Sequence, residues 1–313
     1  MEYNKFISDM AIGDTIEGFY ILSSAINKTT QSGKPFLAGT ITDRTGKIDI
    51  KFWDYPGPIT SADNGKIVKV RGEVSEYNGL QLNISKMRFA NESDVFDKSL
   101  LVPQAPIDES EALDYIKDIL MTVRDVDYRC VAETMLHRHL DAFSKIPAAK
   151  SVHHGFISGL LMHTSNMVKI ADFLSGMYPV LNRDLLITGT LLHDFAKEKE
   201  FAFSELGLVT DYTTKGELLG HLVMGACEIG EVCRENGIPE DKEMLLQHMI
   251  LSHHGEPEYG AAVKPQIAEA ELLYLIDSVD SKMEIYGESL AEIENGQFTQ
   301  RIFALDKKIY KHE

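Results

Sequence analysis

Two hydrophobic rhythms divide the chain. Through the first 90 residues apolar and polar positions alternate with a period of two. In "GKIDIKFW", Ile48, Ile50 and Phe52 alternate with Asp49, Lys51 and Trp53, the pattern of a half-buried strand. "GKIVKVRGEVSEYNGLQLNISKM" reads as a hairpin: Asn78-Gly79 can supply the positive φ angles of a tight turn, and Leu80, Leu82 and Ile84 alternate with Gln81, Asn83 and Ser85. A second turn, Asp43-Arg44-Thr45-Gly46, joins "FLAGTI" to the Ile48 strand. From Asp108 the period becomes helical, with Leu113, Ile116, Leu120 and Val123 on one stripe.

Five or so short antiparallel strands in this space predict a small barrel of the oligonucleotide/oligosaccharide-binding (OB) type. Placing its alternating apolar residues inside turns Lys51, Trp53, Lys69, Arg71 and Tyr77 outward. An exposed tryptophan among basic residues suits base stacking beside phosphate contacts; the competing reading is that Trp53 packs against the next domain. The stretch 91–107 holds two prolines, breaks the strand pattern and is expected to be a linker. The remainder, 108–313, is expected to be all-helical, with turns at Pro147, Pro179, Pro239 and "HHGEPEYG". The fold class is therefore multidomain α and β, with a barrel at residues 1–90 followed by an all-α region.

Composition narrows the setting. Hydrophobic content of 44% and charged content of 25% are ordinary for a globular protein. No apolar run reaches the roughly 18–20 residues of a membrane span, and "MEYNKFISDM" lacks the basic-then-apolar order of a signal peptide. The three cysteines have no zinc-knuckle or disulfide spacing, so a cytoplasmic protein with reduced thiols is expected. Net charge is −17, unevenly spread: residues 1–95 hold 11 Lys/Arg against 12 Asp/Glu, the rest 20 against 36. Bulk attraction to a polyanion is excluded, so any nucleic acid must be held by local surfaces, stacking or metal ions.

Ten of the eleven histidines lie between His137 and His254. His163, the doublet His193-Asp194, His221 and the pair His253-His254 sit at or near the ends of apolar helical segments. Asp277 shares a stripe with Ala270 and Leu273, and Asp280 follows one turn later. Five helices thus deliver imidazoles or carboxylates to apolar faces, and leaving them unpaired would cost several kcal/mol. A metal removes that cost. Mixed imidazole and carboxylate ligands favour Mn, Fe, Co, Ni or Zn over Ca or Mg, and no thiolate is placed to build a closed structural zinc site. Asp194 has two oxygens and can bridge two ions, a device for phosphoryl chemistry with a metal-activated water. His137 and His139, in "MLHRHL", read as an exposed or capping cluster.

The order His163 … His193-Asp194 … Asp277 resembles the HD superfamily of metal-dependent phosphohydrolases over about residues 151–286. The resemblance implies His163, His193, Asp194 and Asp277 around one ion, and His221, His253 and His254 with bridging Asp194 around a second. The division of the last three among ligand positions stays open. Lys197 matches the "HDxxK" pattern, which implies a lysine near the scissile phosphate. Gly159 stands where a third-metal branch carries an acidic residue, so two ions are expected. With an OB-like module in front, the chain is similar to the YhaM family of bacterial 3′–5′ exoribonucleases. This implies catalytic roles for Asp194 and Lys197, a substrate-facing His154 in "KSVHHGFISGLLMHT", a divalent metal cofactor (manganese first; Co, Fe, Ni, Zn or Mg as alternatives) and single-stranded RNA or DNA as partner. The competing readings are an HD nucleotidase or cyclic-dinucleotide phosphodiesterase, and a strand-binding protein with a structural metal site. The C-terminal stretch is compatible with a homo-oligomer.

Overall fold

The computed structural model describes residues 2–30, 32–55, 57–77, 79–149, 155–204 and 206–313, in two compact units, Met1–Gln104 and Ala105–Glu313. The first unit contains β1 (Glu2–Tyr3), β2 (Thr15–Thr29), β3 (Pro35–Asp43), β4 (Gly46–Trp53), β5 (Ile67–Glu76) and β6 (Leu80–Phe89). β2 pairs with β3 on one side and β5 on the other, β3 pairs with β4, and β6 joins β4 to β5, so the sheet closes on itself. β2 serves both neighbours because its register with β3 breaks between Leu22 and Ser24, a bulge that bends it. Closure removes the exposed edges of a flat sheet. Ile16, Leu22, Leu37, Ile41, Ile50, Val70 and Leu82 fill the interior.

The two-residue alternation holds here: Ile48 and Ile50 are buried, while Trp53 and Tyr77 are exposed. The Asp43–Gly46 turn is fixed by the Asp43 carboxylate, which accepts the N–H groups of Thr45, Gly46 and Ile7. Asn78 lies outside the described residues; its neighbour Gly79 takes φ +115°. Leu80, expected inside, is exposed where the strand leaves the turn. Residues 91–104, read as linker, are part of the barrel unit. Phe96 stacks on Phe19 at 4.3 Å, and Asp94 takes a two-pronged bond from Arg88.

The second unit is built from α1 (Glu109–Met121), α2 (Val126–Phe143), α3 (Gly159–Ser175), α4 (Arg183–Leu192), α5 (Lys197–Glu200), α6 (Thr214–Asn236), α7 (Glu240–Ser252) and α8 (Ala268–Ala291). Side chains cap several starts: Asp108, Asp125, Asn182 and Thr213 each accept a backbone N–H of the first turn. Helix is not continuous, as a small antiparallel hairpin, β7 (Phe201–Phe203) with β8 (Val209–Tyr212), separates α5 from α6. α4 is the centre of the bundle, its residues Leu185 to Leu192 all buried among α2, α3, α7 and α8. Among the described residues no helix is long and apolar enough to cross a membrane.

His139 overturns its sequence reading. It is 2% exposed, with Nδ1 2.7 Å from Glu198 and Nε2 3.0 Å from Glu228, while Lys199 bonds the other oxygen of Glu228. Burial pulls its pKa down, but the two carboxylates outweigh this and hold it at about 8. A folded-state pKa above the unfolded one of about 6.5 contributes stability below pH 6.5 that is lost as pH rises through about 8. His139→Ala should therefore destabilise the helical unit by about 2–3 kcal/mol at pH 6, removing the partner of half-buried Glu198 and leaving buried Glu228 with Lys199 alone. The gap between variant and wild type should narrow by pH 8.5, as checked by urea denaturation at both pH values.

Candidate metal centre

The centre forms where two helices end. α4 stops at Leu192 and His193 is its C-cap; α7 stops at Ser252 and His253 is its C-cap. Both histidines use the same device. Nδ1 donates to the carbonyl three residues back, Thr190 for His193 and Ile250 for His253, each at 2.7 Å. That bond satisfies an orphan carbonyl of the last turn and fixes the tautomer, leaving Nε2 with a free lone pair.

His163 on α3 and His221 on α6 are oriented by carboxylates. His163 Nδ1 lies 2.7 Å from Asp280 on α8, and His221 Nδ1 lies 2.9 Å from Glu200. Glu200 also accepts the backbone N–H of His221. That N–H is free because α6 breaks at Gly220, whose φ of +69° is left-handed and suited to glycine. Sequence reading assigned no role to Glu200, and none beyond its stripe to Asp280. Their only signal was helical spacing, α8 carrying Asp277 and Asp280 three residues apart.

Imidazole nitrogens and the Asp277 carboxylate converge in two groups. His163, His193 and Asp277 form one, and His221, His253 and His254 the other, with donor atoms in each group within 4.8 Å of one another. Asp194 stands between them. Its Oδ2 is 3.2 Å from His193 Nε2, and its Oδ1 is 3.3 Å from His221 Nε2 and 3.8 Å from His253 Nε2. Asp194 Oδ1, His221 Nε2, His253 Nε2 and His254 Nδ1 are all buried without a hydrogen-bond partner. Orphaned atoms of this kind are rare in native interiors, and a shared cation would satisfy all four.

The electrostatics suit that role. Burial alone would raise the Asp194 carboxyl, but His193 and Lys197 hold it well below the usual range and hence ionised. Burial and the neighbouring imidazoles push His253 and His254 down, into the neutral form that offers a lone pair. Against its own desolvation, Asp277 is held low by its contact with His163, 3.4 Å away.

Lys197 is nearly buried, with Nζ 2.6 Å from Asp194 Oδ2. It lines a cavity of about 420 Å³ shared with His254 and Asp277. His154, expected to face substrate, lies outside the described residues.

The barrel residues fall into separate places. Lys51 and Trp53 share an outer face of β4 with Phe36, whose ring is 4.9 Å from Trp53; Lys51 Nζ lies 5.0 and 5.8 Å from the two ring centres. Phe36 was missed because it lies on β3 and meets Trp53 of β4 only through the register Phe36↔Trp53, which one strand read alone does not reveal. Lys69 and Arg71 lie on β5, separated from β4 by β6, and Lys69 pairs with Glu17 at 3.0 Å. Tyr77 is in the β5–β6 turn.

Family models match both parts of the chain. Residues 160–282 match the HD domain and residues 23–90 the OB-fold nucleic acid binding domain. Similar solved structures include the second OB-fold domain of replication protein A from Methanococcus maripaludis, 17% identical over 31% of this chain and all of that one, TM-score 0.23. The OB domain of a Methanosarcina mazei protein is 20% identical over 31% of this chain and 90% of that one, TM-score 0.25. The protein priB from Ralstonia solanacearum is 15% identical over 26% of this chain and all of that one, TM-score 0.21. The chain thus joins an OB-fold domain to an HD domain, the latter a metal-dependent phosphohydrolase superfamily.

Proposed function

We propose that the protein is a metal-dependent 3′–5′ exoribonuclease of the YhaM type, acting in the cytoplasm on single-stranded RNA and secondarily on single-stranded DNA. The observation that carries the reading is Asp194: a buried carboxylate whose two oxygens face two separate groups of imidazoles. His163, His193, Asp277 and Asp194 would hold one divalent ion, and His221, His253, His254 and Asp194 the other, with manganese as the expected metal. Bound there, such a pair supplies Lewis-acid stabilisation of a phosphate oxygen and a water acidified towards neutrality.

The chain's own groups do the rest. Asp280 and Glu200 keep His163 and His221 with Nε2 turned to the centre. Lys197, held by Asp194, presents a cation at the wall of the adjoining cavity, where it offsets charge on a bound phosphate. His154 would contact the same phosphate. On the barrel, Trp53 and Phe36 offer stacking surfaces with Lys51 beside them, and Lys69, Arg71 and Tyr77 would extend the path of the strand. The 3′–5′ direction rests on resemblance to the YhaM family.

End-labelled single-stranded RNA incubated with a panel of divalent ions should give stepwise release of mononucleotides, fastest with Mn²⁺. Hydrolysis of mononucleotides or cyclic dinucleotides in preference to RNA would refute the reading. Asp194→Ala should lower hydrolysis at least about 10³-fold while RNA affinity, by gel shift, changes less than about threefold. Lys197→Gln should cost about 10²–10³-fold in kcat with the metal content of the purified protein unchanged. Stripping metal with a chelator should abolish turnover and lower the melting temperature, and both should return on adding Mn²⁺.

A further inference from the structure

The cavity next to the metal centre is walled mostly by one face of α8. Tyr274, Asp277, Ser281, Lys282 and Ile285 recur at helical spacing along it. Lys197 and His254 close the metal side, and Tyr259, 69% exposed on the turn after α7, stands at the rim. The remaining wall comes from the end of the chain, through Ala304.

That wall is built, not draped. Beyond α8 the chain doubles back in a narrow hairpin. Thr299 N–H donates to Ile309 and Gly296 N–H to Lys311, and Ile302 pairs with Lys307 across the tip. Thr299 and Ile309 are buried, and the Lys307 ammonium sits 5.4 Å from the Tyr286 ring of α8, so the hairpin is anchored to the helix that lines the cavity. Its tip is the single turn Phe303–Leu305. Ala304 of that turn faces the cavity, yet Phe303, one residue earlier, is 98% exposed. A phenylalanine so exposed contributes nothing to packing the unit, and it stands on a hydrogen-bonded turn at the mouth of the site. Lys282 adds a cation with no carboxylate partner among the described residues.

We propose that this cavity takes the terminal nucleotide of a single strand and that the C-terminal hairpin completes it, with Phe303 stacking on a base of the strand as it enters. The proposal rests on the strand-hydrolysing reading given above. A volume of about 420 Å³ lies near the low end for small-ligand sites and suits one nucleotide. Its chemistry fits that occupant: metal ligands and Lys197 at one end for the scissile phosphate, Tyr274 and Tyr259 for a ring, Lys282 for a neighbouring phosphate. An aromatic on a rigid turn then grips the next part of the strand without regard to sequence, since every base has a stackable face.

The test compares kcat/KM on a single-stranded oligonucleotide with kcat/KM on bis(p-nitrophenyl) phosphate, which has no base, for wild type, Phe303→Ala and Phe303→Trp. Wild-type cleavage of the oligonucleotide tests the underlying reading by itself; its absence overturns both. Given that cleavage, Phe303→Ala should lower the oligonucleotide-to-diester ratio about tenfold, chiefly through KM, and Phe303→Trp should restore it. An unchanged ratio overturns the role of the hairpin while leaving the strand-hydrolysing reading standing. A changed sedimentation coefficient for Phe303→Ala with an unchanged ratio would overturn it too, marking the tip as a contact between copies of this chain.

Discussion

A carboxylate buried in the middle of a helical bundle sets the terms for the second unit. Asp194 is 2% exposed, and an unpaired charge there would cost several kcal/mol. Lys197, one helical step away, binds one oxygen, which keeps the side chain ionised. The other oxygen has no hydrogen-bond donor, though two imidazole nitrogens stand 3.3 and 3.8 Å from it. A core built only for stability would have turned a donor onto that oxygen, or replaced the aspartate with an apolar residue. Here the neighbouring histidines point lone pairs at it instead.

Backbone chemistry explains how so many imidazoles reach one point. His193 and His253 both sit where a helix runs out of partners for its last carbonyls, and each donates Nδ1 to one of them. The helix end therefore orients the ligand. Two glycines supply geometry that other residues would resist. Gly220 breaks α6, so that Glu200 can reach both the backbone and the ring of His221. Gly255, at φ +76°, turns the chain directly after His253-His254, and a Cβ there would stand about 2.5 Å from the Tyr274 ring. The turn after the histidines and the aromatic wall of the cavity thus constrain each other.

What the sequence made legible was whatever repeats or falls on a stripe. Strand alternation located the barrel, and the apolar helices carrying His163, His193, His221 and His253 marked the residues that the fold brings together. Pairings that depend on two distant elements were not legible. Nothing along α8 says that Asp280 meets His163 from 117 residues away, and Glu200 looks like one more charge in "KEKEF" until α6 docks on it. His139 failed for the same reason: its own helix suggests an exposed cluster, and only Glu198 and Glu228 arriving from elsewhere make it a buried cation. Phe96 was hidden among polar residues and prolines, whose local preferences say nothing of the ring of Phe19.

The acidic balance of residues 96–313 looks hostile to a polyanionic substrate, and the placement of charge resolves the conflict. Many of its acids are used internally or on remote surfaces: Glu198, Glu228 and Asp280 bind His139 and His163, Asp125 and Asp127 bind Lys242, and Glu240, Asp241 and Glu243 cluster at the start of α7. At the cavity the count differs. Lys197 and Lys282 face it, and the half-buried acid there, Asp277, belongs to a ligand group whose charge a divalent pair would more than neutralise. Within a Debye length of about 8 Å only these near charges act strongly on a bound phosphate. On the strand-hydrolysing reading, the net −17 of the whole chain would slow approach from a distance and discourage non-specific adhesion, while affinity at the site would be set by its own cations and stacking surfaces. On that reading, the metal pair would serve the chemistry, while the barrel's exposed rings and local cations would carry most of the affinity for the strand.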